Sequence, residues 1–233
     1  MNIYGDRGNV IVLSRRAKWR AIDISVQAVG VGDSLSVGAF DLIFIGGGQD
    51  RQQTLMATDL HRKAGVLRRM MADHCPVLAV CGGYQLLGHV YRDNEGHQLE
   101  GIGIFDAVTE HPGDRALRCI GNTVVACDWF GMGATLVGFE NHGGRTYLGH
   151  AQPLGRVLSG FGNNGCDGLE GAIAGSAYGT YLHGPLLPKN PWFADHLLHL
   201  ALRYRYGKDI PLQPLDDVLE ERAHTTIAGR ILR

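Results

Sequence analysis

Cys81 is the residue whose surroundings point most clearly to chemistry. The apolar run Pro76–Val80 predicts a buried strand that stops at this cysteine, and GGYQLLG then predicts a helix. Gly82 and Gly83 allow the tight turn between the two elements. A helix N-terminus stabilises a thiolate, and cysteines placed there reach pKa values of roughly 3.5 to 7.5. A cysteine used only for packing would not need glycines after it, so the pattern favours a nucleophile.

His183 is the candidate base. The segment Gly179–Pro185 predicts a strand that ends in this histidine before a turn. A thiolate nucleophile needs such a group to form an ion pair, to protonate the leaving group and to activate water. The sequence has 11 histidines, and most histidines are surface or structurally satisfied residues, so spacing alone leaves the role open. His142 is the alternative base.

A glycine loop, Gly46–Gly48 followed by Gln49, comes directly after the apolar strand predicted at Phe40–Ile45. Its backbone N–H groups and that of Gly82 are positioned to stabilise one oxyanion. As a bare turn the loop would be unremarkable. It is not a nucleotide-binding motif, because GGGQDR lacks the last glycine of GxGxxG and the sequence contains no GxxxxGK[ST].

The elements that must position these residues predict an α/β fold. Strands alternate with stretches of helical periodicity in the first third, which predicts a parallel sheet. The glycine-rich segment from 101 to 181 predicts an antiparallel flank. We expect one domain over residues 1–233. The remaining predicted elements are a helix over 9–20, a strand over 21–29, a helix over 59–73 and C-terminal helices over 190–206 and 215–227.

Composition narrows the classes of partner. The formal net charge of -1 gives no electrostatic reason to expect nucleic acid or an anionic membrane surface. No apolar run reaches the ~18 to 20 residues of a membrane helix, and no signal segment is recognised, so we expect a cytoplasmic protein. The five cysteines form no CxxC pair, and we expect no metal site. The cysteines interpreted as packing residues are Cys75, Cys119, Cys127 and Cys166.

Several motifs occur together in one order: YGDRGN, IGGGQD, CGGYQLLG, GFENHGGRT and GTYLHGPLLPKN. Together they resemble class I glutamine amidotransferases of the cobyric acid synthase-like branch. The similarity covers nearly the whole chain. It implies a flavodoxin-like α/β fold with a mostly parallel central sheet flanked by helices.

The resemblance also implies roles for single residues. By that resemblance Cys81 is the nucleophile that attacks glutamine and His183 is the base. Gln85 and Arg118 are candidates to bind glutamine, Arg118 because a guanidinium pairs with a carboxylate. A helix cap and a surface arginine are the alternatives for these two. The implied oxyanion loop comprises Gly47, Gly48 and Gly82.

One position departs from the wider family pattern. Many class I enzymes carry a glutamate two positions after the catalytic histidine, and this sequence has Pro185 there. The cobyric acid synthase-like branch also lacks that glutamate. The group that orients His183 is therefore unassigned, and one hypothesis is that a partner protein supplies it.

Within the branch, the motifs are most similar to the glutaminase subunits of lipid II isoglutaminyl synthases. That similarity implies a heterodimer with a Mur ligase-like subunit, which reaches lipid II and carries ATP and Mg²⁺, so that this chain needs no cofactor of its own. One alternative is the amidotransferase component of a cobyrinic acid-type synthase, which normally has a fused ATP-binding domain. The other alternative is a non-catalytic scaffold of the same fold.

Overall fold

The computed structural model describes residues 6–48, 50–113 and 115–233, with the backbone alone for 50–54. Tyr4, Gly5 and Gln49 of the sequence motifs lie outside the described residues. A short 3-10 helix covers Leu187–Lys189. The α-helices are α1 (Arg7–Trp19), α2 (Asp50–Ala72), α3 (Gly82–Leu87), α4 (Pro191–Tyr206) and α5 (Val218–Ile231).

The strands are short and most of them follow α3 in the sequence. They are β1 (Ile43–Ile45), β2 (Val77–Val80), β3 (Val90–Arg92), β4 (Gln98–Glu100), β5 (Ala107–Glu110), β6 (Cys119–Ala126), β7 (Thr135–His142), β8 (Arg145–Leu148), β9 (Gly155–Ser159), β10 (Leu169–Glu170), β11 (Ala172–Ala174) and β12 (Ala177–Thr180).

The central sheet has the order β1-β2-β12-β11. β2 pairs in parallel with both β1 and β12, and β11 is the antiparallel edge strand. All four residues of β2 are buried, as expected for the interior of a parallel sheet. The prediction of a mostly parallel central sheet is therefore confirmed. The carboxyl ends of β1, β2 and β12 meet at one edge, where ligands bind in open α/β sheets.

Two further sheets form the predicted antiparallel flank. One has the order β10-β9-β6-β7 and is antiparallel throughout. The other has the order β4-β3-β5-β8, in which only β3 and β5 run parallel. An isolated bridge between Phe139 of β7 and His183 ties the first of these sheets to the chain that follows β12.

Two predictions about the first third were wrong. The segment 21–29 forms no regular element, and Val26 is 61% exposed. The alternation of its residues is typical of a strand, but no strand within the described ranges pairs with it. β1 begins at Ile43 rather than Phe40, and β2 is its partner among the residues that the structure describes.

The cysteines divide by burial, and none of the five forms a disulfide. Cys75, Cys119 and Cys127 are buried, as predicted for packing residues, whereas Cys166 is exposed and the packing interpretation is wrong for it. Its position in a polar turn explains the difference, since Asn164 bonds its backbone N–H. Burial raises the pKa of the Cys75 and Cys127 thiols to about 12, so neither is a ready nucleophile.

Candidate active site

The turn at Cys81 is strained in the way that a nucleophile elbow requires. Cys81 has φ 50° and ψ -109°, a region that residues with a side chain rarely adopt. Its N–H donates to the Thr180 carbonyl at 2.8 Å, and its carbonyl accepts from the Gln85 N–H at 2.9 Å. The strand partner on one side and the helix on the other thus hold the unfavourable conformation in place.

Gly83 explains how the elbow packs so closely against β1. A Cβ built on Gly83 would lie 2.7 Å from the carbonyl oxygen of Ile45. No side chain fits there without moving the backbone of the adjacent strand. The second glycine after Cys81 is therefore required by packing, while the strained φ falls on the cysteine itself.

His183 lies at the end of the neighbouring strand and contacts Cys81. Its N–H donates to the Phe139 carbonyl at 2.7 Å, which fixes the backbone. Burial alone would lower the pKa of His183, but hydrogen bonds with Asp6 and with Cys81 outweigh it and raise the pKa to about 9. The imidazole is therefore protonated near neutral pH, which suits an ion pair with a thiolate.

Asp6 is the functional residue that the sequence analysis missed. Its side chain is fully buried just before α1, and its Oδ1 accepts from Nδ1 of His183 at 3.1 Å. Asp6 belongs to the YGDRGN motif, but nothing local in that motif points to a histidine near the other end of the chain. The carboxylate that orients His183 therefore comes from this chain, although Pro185 stands where many class I enzymes have a glutamate. A carboxylate from a partner protein is not needed for this contact.

The glycine loop is bound differently from the prediction. Gly47 N–H donates to Oδ2 of Asp6 at 2.7 Å, so this N–H is committed to the carboxylate rather than to an oxyanion. The reason is that Asp6 is buried and needs a donor for its second oxygen. Gly48 and Gly82 are both buried, Gly82 directly follows Cys81, and their role as oxyanion donors stays a prediction.

Gln85 lies on α3, one turn after Cys81. Its Nε2 donates to the Tyr181 hydroxyl at 3.0 Å, and its side chain is buried. Tyr181 is itself close enough to Cys81 for charge on the thiol to contribute to its raised pKa, after the larger effect of burial. Gln85 is therefore held inside the protein by Tyr181, and its role in binding glutamine stays a prediction.

Arg118 and Gln85 lie on either side of one glycine turn, Gly143–Gly144. A Cβ on Gly143 would lie 3.2 Å from Nη1 of Arg118, and one on Gly144 would lie 2.8 Å from Nε2 of Gln85. Arg118 Nε also donates to Oδ1 of Asn141 at 3.1 Å. The two predicted glutamine-binding residues are thus brought to the same turn, and the exposed guanidinium is accessible to a carboxylate ligand.

His142, the alternative base, is held by other partners. Its ring stacks on Tyr181 with centroids 3.7 Å apart, and its Nδ1 donates to the Gly144 carbonyl at 2.8 Å. Its Nε2 lies 3.6 Å from Glu140. His183 is the histidine whose hydrogen bond reaches Cys81, so the geometry favours His183 as the base.

Two negative findings concern only the residues that the structure describes. Within those ranges, no helix is long and apolar enough to cross a membrane. Over the same part of the chain, no group of three or more histidine, cysteine, aspartate or glutamate side chains is arranged to hold a metal ion.

Sequence comparisons point to one family of proteins. The model of the CobB/CobQ-like glutamine amidotransferase domain matches residues 1–191. The subunit GatD of a Staphylococcus aureus lipid II isoglutaminyl synthase (glutamine-hydrolyzing) is 41% identical over 235 residues, covering 100% of this chain and 93% of that protein. The corresponding Streptococcus pneumoniae subunit is 37% identical, covering 95% of this chain and 84% of that protein. A probable cobyric acid synthase of Methanothermobacter thermautotrophicus is 34% identical, but the match spans 39% of that protein.

Solved structures share the fold. A crystal structure of a glutamine amidotransferase has a TM-score of 0.53 and 14% identity, covering 82% of this chain and 93% of the other. A glutamine amidotransferase from Thermotoga maritima has a TM-score of 0.51 and 16% identity, covering 94% and 87%. At these identities the likeness concerns the fold alone, and it agrees with the predicted class I, flavodoxin-like α/β architecture.

Proposed function

This chain belongs to the CobB/CobQ-like glutamine amidotransferase family, and we propose that it is the glutamine-hydrolysing subunit of a lipid II isoglutaminyl synthase. The observation that carries the chemistry is the contact series from Cys81 to His183 to Asp6 at the carboxyl edge of the central sheet. The observation that favours lipid II is the similarity to two GatD subunits over almost the whole of each chain.

The first half reaction uses the thiolate of Cys81. Its sulfur attacks the side-chain carbonyl carbon of glutamine, a C–S bond forms, and the carbonyl electrons move to oxygen. Gly82 and Gly48 are the proposed donors to that oxyanion. The C–N bond then breaks while His183 gives its proton to the leaving nitrogen, which releases ammonia and leaves a glutamyl thioester on Cys81.

The second half reaction reverses the role of His183. The neutral imidazole now accepts a proton from water, and the oxygen of that water attacks the thioester carbon. The C–S bond breaks, glutamate leaves, and the sulfur and His183 return to the ion pair. Asp6 accepts the hydrogen bond from Nδ1 of His183 at 3.1 Å and so holds the imidazole in place for both half reactions.

The ammonia needs an activated acceptor. Forming an amide from a carboxylate requires activation, and this sequence contains no GxxxxGK[ST] loop for ATP. We therefore place ATP and Mg²⁺ on a Mur ligase-like partner in a cytoplasmic heterodimer, where the acceptor is the D-glutamate carboxylate of the lipid II stem peptide. The description of both bacterial relatives as a subunit supports such a partner.

A second candidate is the amidotransferase component of a cobyrinic acid-type synthase. The 34% identity to a probable cobyric acid synthase favours it. That match covers 39% of the larger protein, whereas the GatD matches cover 93% and 84% of theirs. The acceptor therefore distinguishes the two candidates, since the glutaminase chemistry is common to both.

The test has two steps. A thiol-reactive glutamine analogue should label Cys81, with Cys81→Ser as the negative control and Cys75→Ser as the matched cysteine that leaves labelling intact. In the second step, untreated chain is mixed with the candidate ligase, ATP, Mg²⁺ and glutamine. Either lipid II or a cobyrinic acid is then added as the acceptor. Mass spectrometry should find the carboxylate-to-amide change in lipid II. Absence of labelling would favour the non-catalytic scaffold, and amidation of the cobyrinic acid alone would favour the second candidate.

A further inference from the structure

We infer that Asp6 is the positioning carboxylate of His183 and that it also fastens the glycine loop to this histidine. The inference deepens the proposed function, because it assigns to this chain the group that orients the base. Each oxygen of the carboxylate has its own partner, Nδ1 of His183 at 3.1 Å and the N–H of Gly47 at 2.7 Å.

Burial makes this arrangement informative. Asp6 and His183 are both fully buried, and a buried carboxylate is costly unless each oxygen is hydrogen-bonded. The bond to Nδ1 places the second ring nitrogen of His183 toward Cys81, because a carboxylate accepts only from a protonated nitrogen. Asp6 thereby selects the orientation and the proton position that the base needs.

The start of α1 is built to hold Asp6 at this place. A Cβ on Gly8 would lie 2.5 Å from Cγ of Pro185, so the absence of a side chain lets α1 approach the turn after His183. Oδ1 of Asn9 accepts from the Leu187 N–H at 2.8 Å. Gly8 and Asn9, two neighbours of Asp6 in the sequence, are therefore fitted to the segment that follows His183.

The two bonds also link the base to the loop. An asparagine has one acceptor oxygen where aspartate has two, so Asp6→Asn cannot accept from both His183 and Gly47. If the amide oxygen keeps the bond from His183, the NH2 group faces the Gly47 N–H, which is a second donor. If the oxygen keeps the bond from Gly47, the NH2 group faces Nδ1 of His183, which can accept it only after losing its proton. The variant should therefore disturb either the histidine or the loop without changing the size of the side chain.

The pKa of His183 distinguishes a positioning role of Asp6 from a purely structural one, because the negative charge of Asp6 helps to raise that pKa. Burial opposes protonation of His183, and the charged groups that offset it are Asp6 from the start of α1 and Cys81 from the elbow. Lys189, a cation that follows the turn in the sequence, donates to the Gly184 carbonyl at 2.9 Å. Removing the carboxylate should therefore lower the pKa of His183 by at least ~1 unit.

The experiment is an NMR titration of the His183 imidazole in the full chain, compared with Asp6→Asn. Asp59→Asn is the matched control, because Asp59 is also buried and accepts from a backbone N–H, that of Gly32. We expect the pKa of His183 to fall in Asp6→Asn and to stay unchanged in the control. The rate of Cys81 alkylation by iodoacetamide at neutral pH should fall about tenfold in Asp6→Asn, since fewer thiolates are paired with an imidazolium.

A second pair of variants keeps the test decisive if Asp6→Asn does not fold. Gly8→Ala changes no charge but pushes α1 away from Pro185, so it should lower the pKa of His183 in the same direction. Adding Pro185→Gly removes the clashing ring and should restore the pKa. An unchanged His183 titration in either Asp6→Asn or Gly8→Ala would overturn the inference. If the pKa shifts as expected while the glutamine analogue never labels Cys81, the positioning stands and the proposed function fails.

Discussion

The carboxylate of Asp6 and the imidazole of His183 meet at 3.1 Å although 177 positions separate them in the sequence. This contact joins the start of α1 to the segment that follows β12, next to the elbow at Cys81. It also sets the ionisation of the base, because hydrogen bonds with Asp6 and Cys81 raise the pKa of His183 to about 9 despite burial. The pH behaviour of the enzyme should follow from that one pair.

Glutamine hydrolysis should decline as the pH rises through about 9, where His183 loses the proton that it gives to ammonia. The ionisation of His183 also affects the free energy of unfolding. Its pKa is raised from the model-compound value of 6.5, so its stabilising effect is complete below pH 6.5 and is lost as the pH rises through about 9. Initial rates and thermal unfolding measured across this range check both effects. A rate that declines already near pH 6.5 would contradict the assignment.

Cys81→Ser should reduce glutamate release to background while the chain stays folded, because a serine hydroxyl is ionised far less than a thiol. Cys75→Ser is the control, since Cys75 is buried with its thiol pKa raised to about 12. It should keep the parental rate. If only the Cys75 variant lost activity, and circular dichroism showed that it was folded, Cys75 rather than Cys81 would be the nucleophile.

His183→Ala should lower turnover by about 10²- to 10⁴-fold, the usual value of a general acid–base. The loss should not add to that of Cys81→Ser, because residues that act as a unit are non-additive. His142→Ala is the comparison, since His142 is also buried but stacks on Tyr181. Independent, multiplying losses for His183 and Cys81 would make His142 the better candidate.

The parts of the site that were predicted from sequence have local signals. The elbow at Cys81 follows from an apolar strand and two glycines within a few residues, and the strand ending at His183 has a similar pattern. Asp6 could not be predicted, because its role depends on a contact across the whole chain. The motif that contains it shows an acidic residue before a helix, which is usually no more than a capping pattern.

The wrong predictions have a related cause. Alternation in segment 21–29 reports which side chains are apolar, but a strand also needs a partner edge, and sequence periodicity does not supply one. The role of the glycine loop in the site stays a prediction, and the partner of the Gly47 N–H depends on Asp6. Both errors arose where long-range pairing decides the structure.

Arg118→Ala should raise the KM for glutamine while leaving kcat nearly unchanged, because a carboxylate clamp binds ground and transition states alike. Loss of a charge-assisted pair costs about 1.5 to 3 kcal/mol, which corresponds to a change in KM of roughly 10- to 150-fold. Arg156→Ala is the control, since Arg156 is exposed and lies 3.9 Å from Asp128. An unchanged KM in the Arg118 variant would mean that Arg118 is a surface arginine with no role in glutamine binding.

Gly83→Ala should both destabilise the protein and displace the nucleophile, Cys81. The added methyl group would lie 2.7 Å from the carbonyl oxygen of Ile45, so either β1 or the elbow has to move. Overpacking of this kind costs about 1 to 3 kcal/mol. Cys81 is held by the same turn, and a shift there should slow both alkylation of the thiol and glutamine hydrolysis.

Gly65→Ala provides the matched comparison for Gly83→Ala. Gly65 is an exposed position within α2, and a Cβ there meets nothing within 4 Å. Replacing a helical glycine by alanine should leave stability unchanged or raise it by up to about 1 kcal/mol, with full activity. Chemical denaturation and the rate of Cys81 alkylation distinguish the two variants. Equal stability and equal alkylation rates in both would mean that the close packing of the elbow against β1 does not constrain the nucleophile.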